Sequence, residues 1–596
     1  MMNKTQKRFN KETQPPNINW QELVPVILLS LVLFFAPLFP DVKLTRPKLL
    51  LLETGLYGLL FIWLFISFAY GKLRVKVSLL TAPVLAYGAV TALFYFLSPD
   101  KIVALNELKR SMLSLSAYFV AANVIRSEKQ FLAVAGSWLA GTFLSILYGM
   151  LQHSGGIWMV AVPKMDRVMS TSGNPIFFAA CIVVLLPIAI GLILYVRKFQ
   201  AKIFIAAAIF CGIIALYYTE TRAALIAFGV SMLAMIFLAV KNAKTRLIML
   251  GALALLGIII GIATRNIWFR QQEHLLIWRD TLAMWSHYPW TGTGPGTFHI
   301  YFPQFASDQL KAVWPQGIFI VNDAHNEYVQ YLSETGIIGF GVFLWLIISF
   351  FVNAFRIHRN ETGPKRFLIA GLIASAAGVL TQNIFSVDMR FIISAVYLFI
   401  VMGMLEVFGS RVFSRENLSA NIKIAGCVAV LVVSGLVFPK VFQPYIAQSR
   451  VAATPDFFDE KVLEAQKTLA DLEAMAQKFP DQSLVFEKLG WVYAKEKNWA
   501  KAIENMEKAA RLDPNSFGPL NNIGNIYFLT GNRPKAIEYW VRSLKIKPDQ
   551  IDSRLNLATA YYYNGQLKDA VDQLKIVLKI EPGNEKAIVM LKQMTE

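Results

Sequence analysis

Apolar runs of roughly 17–22 residues recur from about residue 22 to residue 440, and no other property of the chain limits its fold so sharply. Each is long enough to cross a hydrocarbon core of about 30 Å as a helix. Inside lipid every backbone polar group must be satisfied within the segment, so helices are the expected solution. Thirteen candidate spans can be drawn, near 22–40, 49–69, 77–97, 112–125, 131–150, 175–196, 202–218, 222–240, 247–263, 330–354, 367–386, 391–408 and 423–439. The fourth is the weakest and reads as a shallow or tilted segment, so 12 or 13 spans are expected. The fold class is all-α, a polytopic transmembrane helical bundle.

The loops give the bundle a direction. Those after even-numbered spans carry "GKLRVK", "RSEK", "RKFQAK", "KNAKTR", "RIHRNETGPKR" and "SRVFSRENLSANIK". Together with a basic N-terminal tail over 1–21 (Lys4, Lys7, Arg8, Lys11), they form a regular cytoplasmic pattern under the positive-inside rule. No small-residue cleavage site follows the tail, so the first span reads as a retained anchor. The other loops face outward, and an odd span count puts the C-terminal part outside too. The +19 formal charge therefore reads as topology and bound phosphate, with no nucleic acid as partner. Cys181, Cys211 and Cys427 all fall in apolar runs and read as small core hydrophobes.

Beyond about residue 440 the composition turns to Lys, Glu and Asn, and the tail repeats. Pro480, Pro514, Pro548 and Pro582 lie 34 apart, as do Tyr493, Tyr527 and Tyr561, and Ala502, Ala536 and Ala570. Leu489-Gly490, Ile523-Gly524 and Leu557-Ala558 keep the same period. Small residues let paired helices approach, tyrosines fill the groove and proline ends each unit. This resembles the tetratricopeptide repeat, an α-solenoid over 484–596 with three clear copies over 484–585, preceded by a helical linker or degenerate repeat over 441–483. Such arrays usually bind another protein; a simple spacer is the plainer alternative.

The outward side gathers the unusual residues. The longest outer loop, 264–325, opens with "IWFRQQEHLLIWRDTLAMW", an amphipathic stretch whose Trp268, Phe269, Leu276, Trp278 and Trp285 suit the headgroup zone. "TGTGPGTF" follows, a turn-rich piece that brings backbone N–H groups near a surface but lacks the setting of a nucleotide P-loop. Five of the six histidines fall outside by this topology, at 153, 274, 287, 299 and 325. They are scattered, without His-Glu-x-x-His or paired cysteines, so no metal is expected. His325 starts a helix between Asp323 and Glu327, which suits a general base; capping or headgroup contact is the competing explanation. Arg222, Arg167, and Lys43, Arg46 and Lys48 stand at outward span ends. Charges there are costly unless paired or used, and arginine's fork matches phosphate, although snorkelling to the headgroups would account for any one of them.

Four segments in order, "TSGNPIFFAACIVVLLPIAIGLI", "TETRAALIAF", "WRDTLAMWSHYPWTGTGPGTFHIY" and "AHNEYVQYLSETGIIGFGVFLWL", resemble the successive signatures of the O-antigen ligase/polymerase superfamily. The likeness is close over roughly 160–350 and rests on hydropathy elsewhere, giving a ligase-like domain over 22–440. It implies a GT-C-like membrane glycosyltransferase of the bacterial inner membrane. The donor would be an undecaprenyl-pyrophosphate-linked glycan and the acceptor a hydroxyl on a glycolipid, glycan or protein. The reaction would invert the anomeric carbon and use neither metal nor cofactor. Carried over by position, His325 in its His-Asn-x-Tyr stretch (with Asn326) is the base, and Arg222 and Arg167 hold the pyrophosphate. Lys48 is a further carrier contact. Asp323 or Glu327 orients the imidazole, a choice the sequence leaves open. Trp278 and Arg279 cover the site and dock the carrier. Some members have two adjacent histidines where this chain has Ala324-His325. A ligase, a polymerase and a protein O-oligosaccharyltransferase all fit; a non-catalytic polysaccharide assembly scaffold or transporter is the rival from another class.

Overall fold

The computed structural model describes residues 20–40, 47–157, 160–263, 274–313, 321–391, 393–453, 465–478, 480, 483–514, 516–581 and 583–595. The basic tail, Lys43, Arg46, Trp268, Phe269 and Pro582 lie outside the described residues. A helix coincides with every one of the thirteen apolar runs: α1 (Trp20–Phe35), α2 (Pro47–Ala69), α3 (Thr81–Leu97), α4 (Lys101–Val124), α5 (Glu128–Ser154), α6 (Pro175–Tyr195), α7 (Phe199–Tyr218), α8 (Arg222–Ala239) and α9 (Ala243–Ala263), then, after α10 (His274–His287) in the outer loop, α11 (Glu327–Asn360), α12 (Lys365–Gln382), α13 (Ile393–Gly409) and α14 (Ala420–Ala453). Among the described residues seven are long and apolar enough to cross a membrane unaided, and α1, α3 and α13 are shorter apolar helices. The chain is a multi-pass membrane protein. Weak α4 is a full helix whose first turns carry Glu107 and Arg110, which explains its poor hydropathy.

Local chemistry sets the helix starts. Ser127 and Gln130 form a reciprocal capping box on α5. Asn174 caps α6 through Ile176 N–H, with Pro175 at the first helical position. In lipid, helices associate by close packing of small residues. α6 and α12 do so directly: a Cβ on Gly191 would lie 2.5 Å from the Phe367 carbonyl oxygen, and one on Gly371 would lie 2.8 Å from that of Pro187.

Contacts sort the loops into two ends. At one end, β1 (Lys72–Val77) pairs antiparallel with β2 (Arg411–Glu416), register Lys72 to Glu416. Lys76 donates to the Ile125 carbonyl at 2.7 Å, Arg126 meets Glu22 at 3.0 Å and Lys365 meets Glu128 at 2.9 Å. Arg366 donates to the Ala239 carbonyl. The loops after spans two, four, eight, ten and twelve thus share one end, as the alternating charge pattern requires. The turns carrying Pro37, Lys48, Ser172, Thr219 and Asn383 collect at the other end.

The chain forms two compact units. One takes most residues up to Phe442; the other takes Gln443 onward together with Leu275–Ala283 and His299–Asn322. The second contains α15 (Ala465–Lys478) and seven repeat helices: α16 (Ser483–Lys495), α17 (Trp499–Leu512), α18 (Gly518–Leu529), α19 (Arg533–Ile546), α20 (Ile551–Tyr563), α21 (Leu567–Ile580) and α22 (Glu585–Thr595). Its period is physical. Ala502, Ala536 and Ala570 are fully buried. A Cβ on Gly490 would sit 3.0 Å from the Ala502 carbonyl, and one on Gly524 would meet the Trp540 ring at 2.7 Å. Asn498 and Asn532, one period apart, both cap second helices.

The two-ended sorting makes a prediction. In a background lacking Cys181, Cys211 and Cys427, single cysteines at Ser414 and Lys164 should label with an impermeant maleimide from opposite sides. Labelling of both in intact cells would overturn it.

Candidate functional site

The site is built around a break in α11. Gly336, at φ 61° and ψ −169°, interrupts the helix nine residues after its start. The break leaves backbone groups without helical partners, and the glycine loop supplies them. Ile337 N–H donates to the Pro289 carbonyl at 2.9 Å and Ile338 N–H to that of Trp290 at 3.3 Å. In the other direction, Thr293 N–H reaches the Ser333 carbonyl at 3.1 Å and Gly294 N–H that of Glu334 at 2.9 Å. The approach excludes side chains: a Cβ on Gly292 or on Gly336 would lie 2.2 Å from opposing backbone carbon. Both glycines have positive φ, the region that disfavours any Cβ.

Two further N–H groups of the loop point at an internal anion. Gly296 N–H donates to Glu334 Oε2 at 2.8 Å and Phe298 N–H to Oε1 at 3.2 Å. Arg390 Nη1 meets the same carboxylate at 2.9 Å. Its Nε lies 3.5 Å from Glu327 Oε2, and Nη1 lies 3.9 Å from Glu107 Oε1. Arg110 pairs with Glu107 and donates to the Arg390 carbonyl at 2.9 Å. Although burial opposes charge on Arg390, the Glu334 and Glu327 carboxylates hold its pKa above the ordinary value. Sequence reading missed this five-charge cluster. A signal existed in Glu327, Gln330 and Glu334, whose i, i+3, i+7 spacing places polar groups on one face of a helix otherwise fit for lipid.

His325 sits just before this helix at φ 51°, a strained conformation for a histidine. Its neighbours over-determine it. Its own N–H donates to Asp323 Oδ1 at 3.0 Å, and Ala324 N–H donates to Gln330 Oε1 at 2.8 Å. Asn326 caps α11 through Tyr328 and Val329 N–H. Glu327 N–H reaches the Asn383 and Ser386 carbonyls. The ring's Nδ1 lies 3.1 Å from Asp323 Oδ1, and the side chain is 42% exposed. Of the two candidate orienting acids, Asp323 is at the ring and Glu327 turns inward to Arg390. The His274 ring lies 4.6 Å from that of His325.

The cations form a second group at the same end. Arg167 Nε donates to the Thr219 carbonyl at 3.2 Å, and Val168 N–H to that of Tyr218 at 3.1 Å. Arg167 is thereby tied to the turn from which Arg222 opens α8. Lys48 is 1% exposed and reaches the Ser172 hydroxyl at 3.3 Å and the Thr171 carbonyl at 3.4 Å, in the loop that follows Arg167. A cavity of about 460 Å³ adjoins Thr171, lined by Leu38, Leu144, Tyr148, Ser145 and Ser170. The end of α12 links the two groups: Gln382 donates to the Ile176 carbonyl at 3.4 Å, beside that loop, while Asn383 accepts from Glu327. In the second unit, Arg279 bonds Asp280, Gln309 and Ser307, with Trp278 next to it on α10. Among the described residues no three His, Cys, Asp or Glu converge as metal ligands.

The imidazole–carboxylate pair and the cations thus gather at one end of the membrane bundle. Residues 206–344 match the O-antigen ligase family model and residues 483–516 that of the tetratricopeptide repeat. The chain therefore carries an O-antigen ligase segment and C-terminal tetratricopeptide repeats. No curated protein matches it. Solved structures similar to part of it include the first TPR of Spaghetti (21% identity, covering 19% of this chain and 90% of that one, TM-score 0.19). MamA is similar at 17% identity (28% and 99%, TM-score 0.20), and YrrB, described as a TPR protein, at 15% (28% and 80%, TM-score 0.20).

Two outcomes follow from the buried charges. Glu334→Ala strands Arg390 and two loop N–H groups, and should cost about 3–5 kcal/mol, seen as lost thermal stability in detergent. Burial pushes Asp388 up to about 7 from its usual 3.8, against hydrogen bonds from Ser386 and Gln382. Its neutral form contributes stability that is complete below pH 3.8 and lost as pH rises through 7. Asp388→Asn should flatten that slope in a melting-temperature profile.

Proposed function

We propose that the protein transfers a glycan from undecaprenyl-pyrophosphate to an acceptor hydroxyl at the outer face of the cytoplasmic membrane. The observation that carries this reading is the O-antigen ligase match over 206–344, which contains Arg222, the whole outer loop and His325. The geometry supports specific roles. Asp323 at Nδ1 favours the tautomer with its proton there, leaving the Nε2 lone pair for a substrate proton. Arg222 opens α8, where the helix N-terminus adds its own partial positive charge. Arg167 and Lys48 supply further cations around the adjoining loop.

In the proposed reaction His325 takes the acceptor's O–H proton and the freed oxygen attacks the anomeric carbon. The bond from that carbon to the pyrophosphate oxygen breaks, and the lipid diphosphate leaves with both electrons. One displacement of this kind inverts the centre. Arg222 and Arg167 face the charge that grows on the leaving group, an effect of about 3–4 kcal/mol per preorganised donor in comparable sites. Asn326 acts by holding the helix start rather than by touching substrate. Trp278 and Arg279 are proposed to dock the carrier from the outer loop. α14 starts beside the basic end and carries a span over Ala420–Gln443, which favours an outward repeat domain that recruits a protein partner or acceptor.

Purified protein, carrier-linked glycan and glycolipid, glycan or protein acceptors, with EDTA present, test the proposal. His325→Ala should lower turnover by about 10²–10⁴-fold while leaving the melting temperature near that of the parent. Full turnover in that variant, or no transfer to any acceptor by the parent, would remove the reading in favour of a scaffold. The acceptor that works separates ligase, polymerase and protein transferase.

A further inference from the structure

Asp323 alone does not fix the His325 ring. One carboxylate oxygen, Oδ1, accepts from the His325 backbone N–H at 3.0 Å and also meets the ring's Nδ1 at 3.1 Å. A contact shared in this way leaves the ring free to hinge about it, because the torsion that turns a histidine ring has a broad, two-fold profile. The pinned backbone does not remove that freedom, and the 42% exposure of the side chain leaves room for it. A base whose ring swings is out of line with its substrate for much of the time, and small misplacements of that kind are expensive in rate.

His274 supplies a second contact. Its ring centroid lies 4.6 Å from that of His325, with the planes tilted by 42°. Aromatic rings attract each other over separations of about 4.5–7 Å, so this pair is at the close end of the range. The two contacts act on different parts of the imidazole: Asp323 holds the Nδ1 edge, and His274 packs on the ring itself. His274 is also the first residue of α10, where the helix N-terminus disfavours added positive charge and so favours the uncharged ring. An uncharged neighbour does not repel the imidazolium that His325 becomes on accepting a proton.

We infer that His274 is a positioning residue: its ring, packed on that of His325, and Asp323 at Nδ1 together set the imidazole plane so that Nε2 faces the acceptor hydroxyl. The inference rests on the glycan-transfer reading, in which His325 is the base; the restraint of one ring by the other does not.

Two measurements on the full-length protein in detergent separate the inference from that reading. In the transfer assay, His274→Ala should lower kcat about tenfold with little change in KM for donor or acceptor, since His274 acts through His325. His274→Phe, which keeps an aromatic face and has no ring nitrogen, should recover most of that loss. In NMR spectra of protein with isotope-labelled histidine rings, the His325 signal is assigned by its absence from His325→Gln. It should be single and sharp in the parent and in His274→Phe, and broadened or displaced in His274→Ala. His274→Gln replaces His274→Ala should that variant misfold. Parental kcat in a folded His274→Ala would overturn the inference. So would an equal loss in His274→Phe, which would make the second imidazole a proton carrier, or an unchanged His325 signal in His274→Ala. The reading fails separately: full turnover in His325→Ala removes the base and with it the role of His274, while the response of the His325 signal still reports the contact between the rings.

Discussion

A helix broken inside a low-dielectric bundle must find new partners for its freed amides and carbonyls, and the stitch across Gly336 meets that requirement. Four backbone hydrogen bonds run between the 289–294 strand of loop and the two sides of the break. The outer loop is consequently part of the helix's own hydrogen bonding. Pulling it away would reopen the gap, so this loop segment and the first turns of α11 behave as one body.

Glu334 extends the stitch into electrostatics. One carboxylate collects Gly296 N–H, Phe298 N–H, the Gln330 amide and the Arg390 guanidinium. Gln330 passes the constraint on to Ala324 N–H, one residue from His325. The imidazole is thus positioned by groups beyond its own contacts, and its left-handed backbone is held by its neighbours along the chain. An imidazole on a surface loop would lose that definition to thermal motion; here a buried ion cluster fixes the backbone that carries it.

The architecture was largely legible because its signals are periodic. Apolar runs and a 34-residue repeat survive any change of detail, and alternating loop charge gave the correct grouping of the bundle's ends. The site was legible only in part. Asp323, Asn326, Arg222 and Arg167 stood out as polar residues in an apolar chain. The choice between Asp323 and Glu327 depended on which way a helix start turned, and that is set by Arg390, distant in sequence. The glycine-rich stretch read as a turn-rich piece that brings backbone N–H groups near a surface; which partner they meet, Glu334 for Gly296 and Phe298, was not legible. The break in "SETGIIGF" left no mark, since an apolar helix with isolated glycines looks continuous.

The β1–β2 ribbon has a consequence for biogenesis. Arg74 and Glu416 are 342 residues apart, so the first strand reaches its place long before its partner has been translated. Until then Lys72–Val77 is an open edge on a nascent protein, and the early helices are held together without their clasp. Closure waits until the strand after α13 has been made, so the ribbon is among the last contacts of the bundle to form.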